Sequence, residues 1–176
     1  MKWTRFFLVN LAALLGLALT VCPAHAQGLG DTVSQPGVFS YQAPKGWTVK
    51  DTAISKYKVS FDAPKNNFAA NINVVVETVP KSLAEYVELN KSQLKSTPIF
   101  KNVQIIEEKP FTTTAGIKGI RLVVKDTLGT VDMQQTFYFF EGAADTKLVV
   151  TASSLVGDGD HYAPIFDESL KTFSPK

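Results

Sequence analysis

The chain predicts an α+β domain in which an antiparallel β-sheet is flanked by helices on both faces, an α/β/α sandwich. Three observations carry that prediction. Residues 103 to 155 read as four strands whose connections are too short to join anything but antiparallel neighbours. In the third of these strands Met133, Phe137 and Phe139 face one way while Tyr138 and Phe140 face the other, so a layer must cover each side. Two segments, one before this meander and one after it, place apolar residues in stripes at helical spacing.

Before the domain, residues 1 to 26 have the form of an export signal. Lys2 and Arg5 give a basic start, residues 6 to 21 are almost wholly apolar, and Ala24-His25-Ala26 fits the small-x-small pattern of a cleavage site. The apolar run is shorter than the ~20 residues that span a bilayer as a helix, so cleavage is expected and no transmembrane segment remains. Leu19-Thr20-Val21-Cys22 has a minor resemblance to a lipoprotein box, which would anchor the chain through Cys22, but Val21 stands where such boxes carry a small residue. Residues 27 to 37, rich in Gly, Ser and Gln without an apolar period, read as a flexible segment ahead of a single domain over 38 to 176.

Within the domain, Val38 to Tyr41 form a short strand that ends at Ala43-Pro44-Lys45-Gly46-Trp47, where Pro pre-sets φ and Gly supplies a positive one. Residues 57 to 62 alternate Tyr57, Val59 and Phe61 with polar neighbours. Residues 69 to 78 put Ala70, Ile72, Val74 and Val76 on one face and Asn71, Asn73, Val75 and Glu77 on the other. With Pro64 to Asn67 between them, the two segments form a hairpin. Ser82-Leu83-Ala84-Glu85 is a capping box and starts a helix with Leu83, Tyr86, Val87 and Leu94 on its core stripe and Pro98 at its stop. Strands follow over 103–113, 117–127, 131–140 and 146–154. A closing helix places Tyr162, Ile165, Phe166, Leu170 and Phe173 inward, with Pro164 in its first turn and Asp160 as its expected cap.

Composition excludes several function classes. Cleavage leaves 150 of the 176 residues and removes Lys2 and Arg5, which takes the formal charge from +2 to zero. A chain without net positive charge or a basic run interleaved with aromatics has no electrostatic case for nucleic acid. The only cysteine is Cys22 and the only histidines are His25 and His161. The mature chain therefore offers no thiol nucleophile, no disulfide and no zinc site built on Cys or paired His.

The residues resemble the PsbP and Mog-type fold family, which includes bacterial DcrB-like and domain-of-unknown-function envelope proteins. The matching features are Tyr41-x-x-Pro44-x-Gly46-Trp47, the Asn71-Ile72-Asn73-Val74 strand before the helix at Leu83, the strand containing Gly119, Tyr138-Phe139-Phe140, and a last helix closing at Phe173. The resemblance implies helices around an antiparallel sheet and action by binding other proteins, as in a subunit assisting photosystem II, a Ran-binding factor and envelope accessory proteins. It implies no catalytic residues.

Individual motifs add chemical candidates to that background. Ser55-x-x-Lys58 and Ser92-x-x-Lys95 have the spacing by which a lysine activates a serine, but neither has the companion motifs of penicillin-recognising enzymes. Gly157-Asp158-Gly159-Asp160-His161 is the one cluster with metal-ligand character, a weak divalent site through Asp158, Asp160 and His161. Its simpler reading is a turn before the last helix. Glu107 and Glu108 alternate to opposite strand faces rather than pairing for acid and base work. Asn90-Lys91-Ser92 spells a glycosylation sequon inside a helix. Trp47, Asn71, Asn73, Tyr138 and Phe140 are the binding candidates. The expected function is that of an exported, non-enzymatic, monomeric accessory or assembly factor, without a cofactor, that binds another envelope protein in the periplasm or outside the cell. The alternatives are a carrier whose apolar ligand is lined by Tyr138 and Phe140 and, last, a Ser-x-x-Lys hydrolase.

Overall fold

The computed structural model describes residues 28–52 and 55–176. The leader over 1–26, with Cys22 and His25, lies outside the described residues. The fold is α+β, with two antiparallel sheets and two helices. A three-stranded sheet has the order β1 (Leu29–Gln35), β2 (Phe39–Pro44), β10 (Ser174–Pro175). A seven-stranded sheet contains β3 (Thr48–Thr52), β4 (Ser55–Phe61), β5 (Asn71–Thr78), β6 (Phe100–Thr112), β7 (Lys118–Leu128), β8 (Val131–Glu141) and β9 (Thr146–Leu155). Its order is β3-β4-β5-β9-β8-β7-β6. The hairpin of β4 with β5 and the meander from β6 to β9 form as their alternation predicts.

Helix α1 (Leu83–Ser96) starts at the predicted box. The Glu85 backbone N–H donates to Ser82 Oγ, and the Ser82 N–H donates to Glu85 Oε2 at 2.9 Å. Those hydrogen bonds hold the carboxyl of Glu85 below the usual range. Such a cap stabilises a helix by about 1 kcal/mol. The helix lays Tyr86, Val87 and Leu94 on Leu122, Val124, Phe137, Phe139 and Val149, one apolar cluster of the molecule. Tyr138 and Phe140, the alternate residues of β8, belong to a second cluster with Tyr162, Phe166 and Leu170 of α2 (Gly159–Leu170) and with Val33, Phe39, Tyr41 and Phe173. Strand alternation thus divides the core into two, each with its own helix.

Three expectations need correction. Residues 27 to 37 are not a flexible segment throughout, because β1 pairs antiparallel with β2 and Val33 enters the core. Beyond Leu29 at its start, this edge strand has a single apolar side chain, Val33, so it carries no readable period. The core is covered by two sheets rather than one, since β2 also pairs with β10. Asp160 is not the cap of α2; a 3₁₀ turn over Val156–Asp158 leads into the helix, Asp158 holds the cap position without a side-chain cap bond, and Asp160 sits exposed in the first turn. The carboxylate of Asp158 instead pairs with Lys65 at 2.8 Å.

Geometry requires glycine at two positions that shape the core, among others. Gly46 adopts φ +83° in the turn before Trp47, as predicted. Gly119 faces Phe140 across the β7–β8 ladder, and a Cβ there would lie 2.5 Å from the Phe139 carbonyl oxygen and 2.7 Å from the Phe140 ring. That missing atom admits the stacked Phe140–Phe173 pair, with centroids 4.7 Å apart, to the second cluster.

Candidate functional site

The nominated aromatics are all inside. Trp47 is buried edge-on against Tyr162 and Phe166 at 6.2 Å from each. Tyr138 and Phe140 are fully buried, and Phe111 packs edge-on against both. The Tyr138 hydroxyl donates to Asp167 Oδ1 at 2.6 Å, and Arg121 Nε donates to the same oxygen at 2.8 Å. Arg121 also donates to Glu107 and places its guanidinium 6.0 Å over the Tyr138 ring. Burial first, then the charge of Asp167, drives the Tyr138 hydroxyl well above its ordinary pKa. The arrangement ties α2 to β6, β7 and β8. It is a structural clamp, in which a nearly buried cation is satisfied from two sides.

Ser-x-x-Lys geometry is not assembled at either place. Ser55 and Lys58 stand three apart on a strand and so project to opposite faces, and the Ser55 hydroxyl accepts from the Tyr57 N–H. Ser92 and Lys95 are both exposed on α1. Asn90 of the sequon is buried, donating through Nδ2 to the Tyr86 carbonyl at 2.8 Å. Asp160 and His161 are exposed at the start of α2. Among the described residues no three His, Cys, Asp or Glu side chains converge as a metal-binding group, and no helix is long and apolar enough to cross a membrane.

Asn71 and Asn73 do share a face, and the structure extends it. Asn73 pairs with Thr151, and Asn71 with Ser153; Ser153 pairs onward with Gln135 of β8, and Gln135 with Val124 of β7. Val124 and Phe137 belong to the α1 cluster, so this polar row lies on the α1 side of the large sheet. Asp126 stands two residues beyond Val124 on the same face. Its side chain is buried without a hydrogen bond, and burial pushes its pKa up to about 6. At the far end of this face, Lys147 Nζ lies 2.8 Å from Glu141 Oε2 and donates to the Val79 carbonyl, while Tyr86 donates to Glu77 at 2.5 Å. Burial raises the Glu77 pKa, and the Tyr86 bond partly offsets it.

A second site faces outward. Between α1 and β6 runs an open groove of about 520 Å³ lined by Lys81, Ala84, Glu85, Glu88, Leu89 and Glu108. Leu89 is 36% exposed. Lys91 bridges the rim, reaching Glu88 at 2.5 Å and Glu108 at 2.8 Å. Glu85, Glu88 and Glu108 stand against Lys81 and Lys91, which leaves one negative charge in excess around an apolar centre. Sequence reading missed the groove, because Leu89 lies off the core stripe and Glu108 is distant in the chain. The polar row did leave a signal: Gln134-Gln135-Thr136 and Thr151 with Ser153-Ser154 set polar residues on both faces of strands whose other halves are apolar on both faces.

No protein-family model and no curated sequence matches the chain. Solved structures do. The cyanobacterial PsbP protein of Synechocystis sp. PCC 6803 superposes with a TM-score of 0.60 at 13% identity, over 90% of this chain and 99% of that one. LpqN of Mycobacterium tuberculosis, described as involved in cell envelope biogenesis, gives 0.61 at 14% identity, over 83% and 90%. The Ran-binding protein Mog1p of Saccharomyces cerevisiae gives 0.58 at 14%, over 84% and 96%. At such identities the likeness is one of fold, and the fold is PsbP/Mog-like.

Proposed function

We propose that this chain is exported and acts in the cell envelope as a non-enzymatic accessory factor that binds another protein through the groove between α1 and β6. The observation that carries the reading is the groove itself: an exposed Leu89 framed by Glu85, Glu88 and Glu108 suits a basic segment with an apolar anchor. The signal-like leader supports export. The structural neighbours support a binding role, since one is named as Ran-binding and another as involved in cell envelope biogenesis.

The test is crosslinking from a photoreactive residue at position 89, followed by capture from the native envelope and mass spectrometry. A discrete protein should be recovered, and Glu88→Gln together with Glu108→Gln should abolish its recovery with at most a small fall in the thermal midpoint, because only exposed ion pairs to Lys91 are lost. Equal recovery from that variant, or a co-purifying apolar molecule in place of a protein, overturns the reading.

A further inference from the structure

Eight buried side-chain polar atoms lack a hydrogen-bond partner among the described residues, and five of them belong to Asp126, Gln135 and Ser153. Native proteins leave few such atoms, so a concentration of five on one patch demands a cause. The ladder pairings locate the patch. Gln135 is directly opposite Ser153 on β9 and Val124 on β7, and Asp126, opposite Met133, is its diagonal neighbour. All three side chains share the α1 face. Asp126 is 3% exposed, and Gln135 and Ser153 are 0% exposed. Asn71 continues the row on β5 and is half-buried, which gives the row an end nearer to solvent.

We propose that this row is a binding site for a small molecule that carries a primary ammonium group and a second polar group. The unpartnered atoms define the complement. Both carboxylate oxygens of Asp126 and Oε1 of Gln135 are acceptors, and a primary ammonium brings three N–H donors and the opposite charge. A hard divalent cation is a poorer match, because it prefers several carboxylates and the row holds one. Gln135 Nε2 and the Ser153 hydroxyl are donors left for a hydroxyl or carbonyl on the ligand. Asp126 on β7 and Gln135 on β8 are diagonal neighbours whose backbones lie roughly 8 Å apart, a span that a short amino alcohol or amino amide bridges with a hydrogen bond at each end. Asp126, although raised by burial, remains mostly ionised at pH 7.

The experiment titrates the purified protein with ethanolamine and, separately, glycinamide, following the side-chain amide resonances of Gln135. Saturable shifts are expected for at least one probe, weakened about tenfold to a hundredfold by Asp126→Asn, since a charge-assisted bond is lost. Asp132→Asn, which changes an exposed carboxylate on β8, should bind as the parent does. Gln135→Leu provides a second variant; it lacks the reporter amide, so its binding is read by calorimetric titration beside the parent, and it should also be weaker. Tetramethylammonium, which has the charge but no N–H donor, should leave the resonances unmoved. The proposal is overturned if neither amine moves them, if tetramethylammonium moves them equally, or if Asp126→Asn binds as tightly as Asp132→Asn.

Discussion

Beneath the start of α1, Lys147 is sealed from solvent, yet its ammonium has Glu141 and the Val79 carbonyl, and Tyr86 and Glu77 satisfy each other. At the opposite end of the same face, Asp126 and Gln135 are sealed as deeply and have no partner. Both ends use β8 and β9. The difference teaches that the sheet can bury polar groups in two ways: at one end they lock the helix to the sheet, and at the other they carry an uncompensated desolvation cost. Reversing that contrast residue by residue should change stability in opposite directions.

The largest effect is expected at the paired end. Tyr86→Ala removes a fully buried ring from Phe139 and strands Glu77, and should cost about 3–5 kcal/mol in urea unfolding. A loss below about 1 kcal/mol would mean that α1 is not held there. At the unpaired end the sign reverses, and Asp126→Asn should stabilise the protein at pH 7.5 by up to about 3 kcal/mol, the linkage equivalent of its raised carboxyl. The folded group titrates near 6 against an ordinary 3.8, so its ionisation is more costly in the folded chain. Parent stability attributable to this group is therefore greatest below pH 3.8 and falls as pH rises through 6. The advantage of the variant should vanish on the acid side, and a gain that persists at pH 3.5 would refute the assignment.

Gln135→Leu, which replaces two unpartnered amide atoms by methyl groups of similar size, should add about 1–2 kcal/mol by the same measurement. The smallest change is Ser82→Ala at the anchored end of α1, a loss of about 1 kcal/mol, accompanied by faster amide exchange at Glu85. If Asp126→Asn both stabilises the fold and weakens amine binding, the row trades stability for recognition.

Much of this architecture was legible because local rules and tertiary packing agree. The capping box at Ser82, the Pro44-Lys45-Gly46 turn and the two-faced aromatic run of β8 each specify their structure within a few residues. What was not legible depends on partners far apart in the chain. β1 becomes a strand only because β2 offers an edge, and β10 is two residues that pair with β2 after more than a hundred intervening positions. Asn71 and Asn73 pointed to a polar face, but its extent through Ser153, Gln135 and Asp126 follows from strand register, which no local pattern states. Trp47, Tyr138 and Phe140 were nominated by chemistry, and the structure places all three in the core.

The small sheet has a consequence for how the molecule comes into being. Phe173 stacks on Phe39, the Thr172 hydroxyl accepts from the Gln42 N–H, and Lys176 N–H donates to the Val38 carbonyl. These contacts join the first strands of the domain to its last residues, so the α2-side core cannot close until both have been brought together across almost the whole domain. The two ends of the domain therefore act as one latch, and loosening either should open the same half of the core.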